Sequence, residues 1–222
     1  MHALVTGASS GIGAAVVDRL LTDGWAVTGV SRSEPAARPG LTWLPADLTD
    51  LDAVPGVLAG VGPLDAVVHA AGVQRSAPLG SLSAADGELM WRLHVGAATA
   101  VVDALVGRVA DGGRIVLVGS RTATGVAGKS QYAATKAALA GLARSWAMEL
   151  ADRRVTVNVV APGPTDTPML ADPGRAATPP RVPPLGRFVR PGEVAGLTAF
   201  LLGPDGGMVT GQHLVICAGA SL

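Results

Sequence analysis

Between the apolar run His2–Thr6 (HALVT) and a helical stretch from about Ile12 to Leu21 lies the turn Gly7-Ala8-Ser9-Ser10-Gly11-Ile12-Gly13. No other feature constrains the fold so tightly. Small residues at this spacing let the backbone approach a bulky anion. The helix that follows offers unpaired N–H groups and the positive end of its dipole. Such a turn alone also serves as a tight strand–helix connection. Its place in a strand–turn–helix unit favours a cradle for the pyrophosphate of a dinucleotide. The candidate binding residues are Gly7, Ser9, Ser10, Gly11, Ile12 and Gly13.

The alternation continues along the chain. Trp25–Val30, Leu41–Pro45, Leu64–His69, Arg114–Val118, Val155–Val160 and His213–Cys217 read as further strands. Helices are predicted from about Ala84 to Val109, around Tyr132, and over Gly192–Leu202. Strands that are continuous apolar runs are buried on both faces. The pattern predicts one α/β domain over residues 1–222. Its architecture is a doubly wound, Rossmann-type fold, a parallel sheet of about seven strands with helices on both faces. Arg32 to Leu41 is too short for a full helix, so the second crossover is expected to be abbreviated. Prolines and glycines recur through Pro162–Pro191, and residues 168–190 are expected to form a substrate loop.

Composition narrows the function. Seventeen basic and seventeen acidic side chains cancel, which gives no footing for nucleic acid or a membrane surface. No charged-then-apolar leader precedes the first strand, and no apolar run is expected to span a membrane. The single cysteine, Cys217, excludes an internal disulfide and suits a reducing, cytoplasmic compartment. It reads as a buried small hydrophobe in the last strand. His2, His69, His94 and His213 are scattered, so no metal site is expected.

The end of the second strand bears on cofactor choice. NAD sites commonly place a carboxylate there for the ribose 2′-hydroxyl. This chain has Ser31-Arg32. A guanidinium fork suits a 2′-phosphate, and Ser9, Ser10 and Ser31 can add hydroxyl donors. NADP(H) is therefore the preferred cofactor. NAD(H) stays possible, because Arg32 can equally be a solvated loop charge and Glu34 lies near enough to reach a ribose.

Tyr132, the only tyrosine, precedes Lys136, one of two lysines, by four residues in an alanine-rich helical stretch. That spacing puts both side chains on one helix face. An ammonium beside a phenol is expected to draw its pKa down from about 10 toward neutrality, which suits proton exchange with a substrate oxygen. On these residues alone, a chance pair on an exposed face is an equal alternative.

With these motifs in place, the chain resembles the short-chain dehydrogenase/reductase family along essentially its whole length. Thr6-Gly-x-x-x-Gly-x-Gly13 and Tyr132-x-x-x-Lys136 match its two signatures. Asp47-Leu48 is similar to the family's adenine-contacting turn, and His69-Ala70-Ala71-Gly72 to its Asn-Asn-Ala-Gly stretch. Ser120 falls where the family's catalytic serine belongs. Asn158 and Pro162-Gly163-Pro164-Thr165-Asp166-Thr167 resemble the segment around the nicotinamide. The resemblance implies that Tyr132 is the general acid/base and that Ser120 steadies the reacting oxygen. It further implies that Lys136 tunes Tyr132 and binds the nicotinamide ribose, with Thr167 at the carboxamide. His94 falls at the family's asparagine, where it either keeps a place in the proton relay or only fills space. Histidine and alanine in place of the two asparagines, at His69 and Ala70, leave the local hydrogen bonding of that turn open.

Other residues compete for roles. Ser130 and Thr122 are rival hydroxyls to Ser120, one too near Tyr132 and the other two residues past the strand end. Arg121 and Arg75 are either anchors for an acidic substrate group or solvated charges. Met169, Leu170 and the following prolines are expected to cover a partly apolar substrate site. The apolar Trp146–Leu150 and Cys217–Leu222 segments, with the resemblance, imply a homodimer or homotetramer. The expected activity is NADP(H)-dependent interconversion of a small-molecule carbonyl and a secondary alcohol. A non-catalytic NADP(H)-binding sensor or scaffold is the alternative, and epimerisation or dehydration a third possibility.

Overall fold

A computed structural model describes residues 1–222. Seven strands, β1 (His2–Thr6), β2 (Ala26–Ser31), β3 (Leu41–Pro45), β4 (Leu64–His69), β5 (Val109–Val118), β6 (Thr156–Pro162) and β7 (His213–Ile216), form one sheet. All adjacent pairs are parallel. The helices are α1 (Gly11–Thr22), α2 (Val54–Leu58), α3 (Ala84–Trp91), α4 (Ala97–Leu105), α5 (Ser130–Glu149) and α6 (Pro191–Leu202).

Side chains alternate across a strand, and the core divides accordingly. Leu4, Val67, Ile115, Leu117 and Val157 pack with Val101 and Leu105 of α4 and Leu139 and Ala143 of α5. Val5, Val68, Val116, Val118 and Val160 pack on the opposite face with Val16 and Leu20 of α1 and Val194 and Leu201 of α6. This two-sided burial is why the strands read as unbroken apolar runs.

The strand order is β3-β2-β1-β4-β5-β6-β7. The chain runs outward from β1 to β3, then returns to lay β4 on the other side of β1. The loops leaving β1 and β4 therefore diverge, which opens a crevice at their carboxyl ends.

Several elements differ from the sequence expectation. β5 starts at Val109, where the pairing with β4 has an irregularity between Leu64 and Ala66. The helix expected from Ala84 to Val109 is interrupted by a wider π-helical turn at Arg92–Gly96 and ends in a tight turn at Val106–Arg108. By length and composition alone the Ala84–Arg108 segment is apolar enough to cross a membrane. Its apolarity is accounted for by Met90, Ala97, Ala98, Val101, Val102 and Leu105, all buried in the domain. The short α2 was not foreseen, because five residues carry too little periodicity. No helix joins β2 to β3, as the short Arg32–Leu41 spacing requires.

Gly13 fixes how closely α1 sits on the first turn. A Cβ there would lie 2.1 Å from the Gly7 carbonyl oxygen, a backbone atom that cannot swing aside. Gly13→Ala is expected to cost about 1–3 kcal/mol, read as a lower urea midpoint. An unchanged midpoint would show that the turn shifts freely.

Candidate active site

The crevice is lined at one end by Gly7, Ser10, Gly11, Ile12 and Gly13. Gly7 has φ +68°, and a Cβ there would sit 2.9 Å from the Ala71 backbone, so β1 and β4 meet here without side chains between them. Ser10 precedes α1 in an extended conformation, makes no side-chain cap, and is followed by no acidic residue in the first turn. The first-turn amides are thus left to bind an anion. Ala70, Ala71 and Gly72 line the wall beyond β4, and Pro162, Gly163, Thr165 and Thr167 the wall beyond β6. The Thr167 methyl lies 3.4 Å from the Cβ position of Gly11, so this segment closes over the glycine turn.

Ser9, Ser31, Arg32, Asp47 and Leu48 are not part of the crevice lining. Ser31 is buried and its hydroxyl donates to the Ser33 carbonyl at 2.8 Å. Leu48 is buried in the core. Asp47 accepts from the Thr49 amide at 2.9 Å and hydroxyl at 2.8 Å. Those bonds, chiefly the backbone one, hold its carboxyl below the usual range, with a smaller contribution from Arg32. Arg32 is exposed and makes no ion pair.

Ser120, Tyr132 and Lys136 do converge on the crevice, and all three are buried. Ser120 follows β5, and its Oγ accepts from the Thr122 amide at 3.2 Å and shares a hydrogen bond with the Thr122 hydroxyl at 2.8 Å. Thr122 thus supports Ser120 instead of replacing it. The Lys136 ammonium donates to the Val118 carbonyl at 2.8 Å and lies 6.0 Å from the Tyr132 ring centre. Ser130 is exposed at the start of α5.

The expected tuning of Tyr132 is corrected here. Burial is the largest influence on the phenol and pushes its pKa up; the Ser120 hydroxyl and the charge of Arg175 act the other way without prevailing. Burial also drags Lys136 down to about 7. Lys136 is not among the groups that move the phenol, and its ammonium is engaged by the Val118 carbonyl.

Two buried histidines, His69 and His94, organise the exit of β4. The Thr6 hydroxyl accepts from the Ala70 and Ala71 amides at 3.1 and 3.2 Å. It lies 3.0 Å from His69 Nδ1, to which its own proton is free to donate. His69 Nε2 is 3.1 Å from the Leu93 carbonyl, which can only accept. These partners place the proton on Nε2. The hydrogen bonding of this turn, left open by the sequence, is complete. His94 Nε2 accepts from the Val73 amide at 3.1 Å, so the ring proton belongs on Nδ1, 2.8 Å from the Thr135 hydroxyl. That hydroxyl in turn donates to the Tyr132 carbonyl at 2.9 Å. The His94 ring stands edge-on to Tyr132, with centres 5.6 Å apart. It links the β4 loop to α5, and both nitrogens are engaged.

Asn158 has a different place from the one its resemblance suggested. It is buried within β6, donates to Val209 O at 2.6 Å and accepts from Gln212 N at 3.0 Å, tying β6 to the approach to β7. β7 ends at Ile216, and Cys217 is partly exposed, 3.3 Å from Ser221 Oγ.

The loop after β6 forms tight turns at Pro168–Ala171 and Pro173–Arg175. Arg75 is not among the residues that line the crevice. Its guanidinium pairs with Asp172 at 3.1 Å and pins this loop beside the β4 exit. Ser76 N adds a bond to Gly174 O at 3.0 Å. The loop carries Arg175 into the crevice wall, where it joins Arg121 and Lys129. Arg175 gave no sequence signal, since an arginine among prolines reads as a solvated charge.

A family model described as enoyl-(acyl carrier protein) reductase matches residues 7–221. The chain is 36% identical to a cyclic-di-GMP-binding biofilm dispersal mediator protein of Escherichia coli K12, covering 94% of this chain and 92% of that protein. It is also 36% identical to the 3-oxoacyl-[acyl-carrier-protein] reductase FabG of Vibrio harveyi, covering 98% and 96%. A short-chain dehydrogenase from Burkholderia cenocepacia in complex with NADP superposes with a TM-score of 0.85 at 34% identity, over 99% of this chain and 97% of that one. A blue fluorescent protein from a metagenomic library in complex with NADPH gives 0.85 at 33% identity, over 100% and 98%. The chain belongs to the short-chain dehydrogenase/reductase family and is an oxidoreductase of that class.

Burial pushes His69 down to about 3 from 6.5, so the folded protein keeps it neutral while the unfolded chain takes up a proton below about 6.5. Its contribution to stability is therefore complete above about 6.5 and declines as the pH falls toward 3. Thermal unfolding from pH 7 to 4 is expected to give a falling midpoint, with a shallower slope in His69→Asn. Equal slopes would exclude His69 as a source of acid sensitivity.

Proposed function

We propose that the protein is an NADP(H)-dependent oxidoreductase that interconverts a small-molecule carbonyl and a secondary alcohol, with Tyr132 as general acid/base. The observation that carries this reading is the convergence of Ser120, Tyr132 and Lys136 on the crevice that also holds the glycine turn. The free amides at the start of α1 and the bare backbone at Gly7 suit a pyrophosphate. Ala70–Gly72, Pro162, Gly163, Thr165 and Thr167 surround the nicotinamide half, with Thr167 at the carboxamide. Arg32, with hydroxyl donors from the adjoining Ser31 and from Ser9 of the glycine turn, serves the 2′-phosphate, and Asp47-Leu48 the adenine. Relatives in structure that carry NADPH and NADP support the cofactor preference over NAD(H).

The cofactor, when bound, supplies hydride chemistry. The chain's residues supply the proton and the geometry. Tyr132 donates its phenolic proton to the carbonyl oxygen in reduction, and the phenolate takes a proton from the alcohol in oxidation. Ser120 donates a hydrogen bond to the same oxygen and stabilises its developing charge. Lys136 holds the nicotinamide ribose hydroxyls. His94 acts as a positioning residue, holding the β4 loop and α5 at a fixed separation. A pure sensor is the weaker reading, because binding a dinucleotide requires no buried phenol beside a serine.

A cytoplasmic enzyme and a homo-oligomer complete the proposal. Trp146 and Leu150 pack on their own core, whereas Met148 and Trp91 are exposed apolar side chains available to a second copy. A monomer by sedimentation at micromolar concentration would remove the oligomer from the proposal.

Tyr132→Phe is expected to lower kcat by about 10²–10⁴-fold, followed as nicotinamide absorbance on a panel of ketones. Full turnover in that variant would sink the mechanism. Because the phenol is pushed upward, reduction should be level through neutral pH, and alcohol oxidation should climb as the pH rises toward the alkaline range. Arg32→Ala should weaken NADPH binding about tenfold and leave NADH nearly unaffected. Equal loss for both nucleotides would exclude a 2′-phosphate role.

A further inference from the structure

Every charged side chain that lines the crevice is cationic: Arg121, Lys129, Lys136 and Arg175, with no carboxylate among them. Lys136 has a partner in the Val118 carbonyl. The other three make no ion pair. Arg175 is the most unusual. It is 7% exposed, its one side-chain bond is from Nη1 to the Met169 carbonyl at 3.2 Å, and its Nε has no partner. Arg121 Nε is likewise buried and unpartnered. Asp172 is close enough for its charge to be felt at Arg175, but its oxygens are engaged by Arg75 and the Gly174 amide.

This arrangement is built, not accidental crowding of mobile side chains. The Arg75–Asp172 pair holds one side of the Arg175 turn. On the other, Thr178 packs so closely against Gly128 that a Cβ there would be 2.6 Å from its methyl. Arg175 is thereby held between the β4 exit and Lys129. Arg121 directly follows Ser120, and Lys129 precedes Tyr132 by three residues. Burial together with Arg175 and Arg121 pushes Lys129 down to about 8, as expected for cations gathered without a counter-charge. Buried guanidinium donors without acceptors are costly unless a ligand supplies the acceptors. In the proposed function the glycine turn serves the dinucleotide, whereas Arg121 adjoins Ser120 and the charge of Arg175 is felt at Tyr132, so these cations belong to the reacting end of the crevice.

We infer that Arg175 and Arg121, with Lys129 beside them, form an anion subsite, and that the natural substrate is a carbonyl or alcohol compound carrying a carboxylate or phosphate group. Both anions present the planar or tripodal oxygens that a guanidinium fork matches. The inference rests on the redox reading of the same crevice and narrows its substrate class.

The test compares matched neutral and charged compounds with NADPH: methyl acetoacetate against acetoacetate, and dihydroxyacetone against its phosphate. The charged member of at least one pair is expected to have kcat/KM about tenfold to a hundredfold higher. The pair that shows the preference identifies the anion. Arg175→Gln and, separately, Arg121→Gln should bring that ratio close to one, with the neutral compound reporting in the same preparation whether the variant is folded. Equal turnover within both pairs, or a preference that survives both variants, would overturn the subsite. Calorimetric titration of the four compounds onto the NADP⁺-loaded protein separates the two readings. Charge-selective binding without turnover would keep the subsite and sink the redox function; turnover without charge selectivity would do the reverse. Selective binding of none of the four would overturn the subsite outright.

Discussion

The hydroxyl of Thr6 holds the two halves of this molecule together at the point where their topology separates. It lies at the end of β1, fully buried, and accepts the amides of Ala70 and Ala71 beyond β4 while sharing a hydrogen bond with His69. One residue later Gly7 allows the β4 exit to approach within van der Waals contact. The diverging loops of a doubly wound sheet would otherwise leave those amides without partners in a dry interior, at a cost of about 1–3 kcal/mol each. The walls built from α1, the β4 exit and α5 are placed relative to this junction. α1 begins from it, and His69 and His94 carry it outward to Leu93, Val73 and Thr135, and so to the helix that bears Tyr132.

Desolvation, more than any single charge pair, sets the protonation states around that helix. Tyr132 is pushed up, Lys136 is drawn down to about 7, and His69 to about 3. All four buried groups, His94 included, are moved toward their neutral forms, as a low-dielectric interior requires. A neutral phenol is the form that can donate a proton. The neutral histidines also explain their hydrogen bonding. A protonated His94 would turn an N–H against the Val73 amide, and the contact between the β4 loop and α5 would be lost.

The far side of the crevice follows a different rule. There the cations are chiefly guanidinium groups, which cannot relieve burial by giving up a proton as an ammonium can. The loop after β6 has a fixed path, since Arg75 and Asp172 tie it down. What that path achieves is to bring Arg175 into the crevice lining with Arg121 and Lys129.

Legible in the sequence were the parallel sheet and the alternation of strands and helices that builds it; the order of strands across the sheet came from the folded chain. Apolar runs in β1, β4, β5 and β6 are long enough and uniform enough that only burial on both faces accounts for them. The Gly7–Gly13 turn and the Tyr132–Lys136 pair were legible for a related reason: each is a local pattern whose spacing is dictated by strand or helix geometry, whereas Ser120 was reached only through the family resemblance. Boundaries were less legible. The π turn at Arg92–Gly96 and the extended start of β5 depend on neighbours distant in sequence. The tertiary structure alone decided the electrostatics. The Tyr132–Lys136 spacing suggested a depressed phenol, but a pKa depends on the surrounding dielectric, which no four-residue pattern encodes. Nor could spacing separate Arg75 from Arg175. One is spent on Asp172, 97 residues away, and the other keeps an unpartnered buried donor, and only the folded loop distinguishes them.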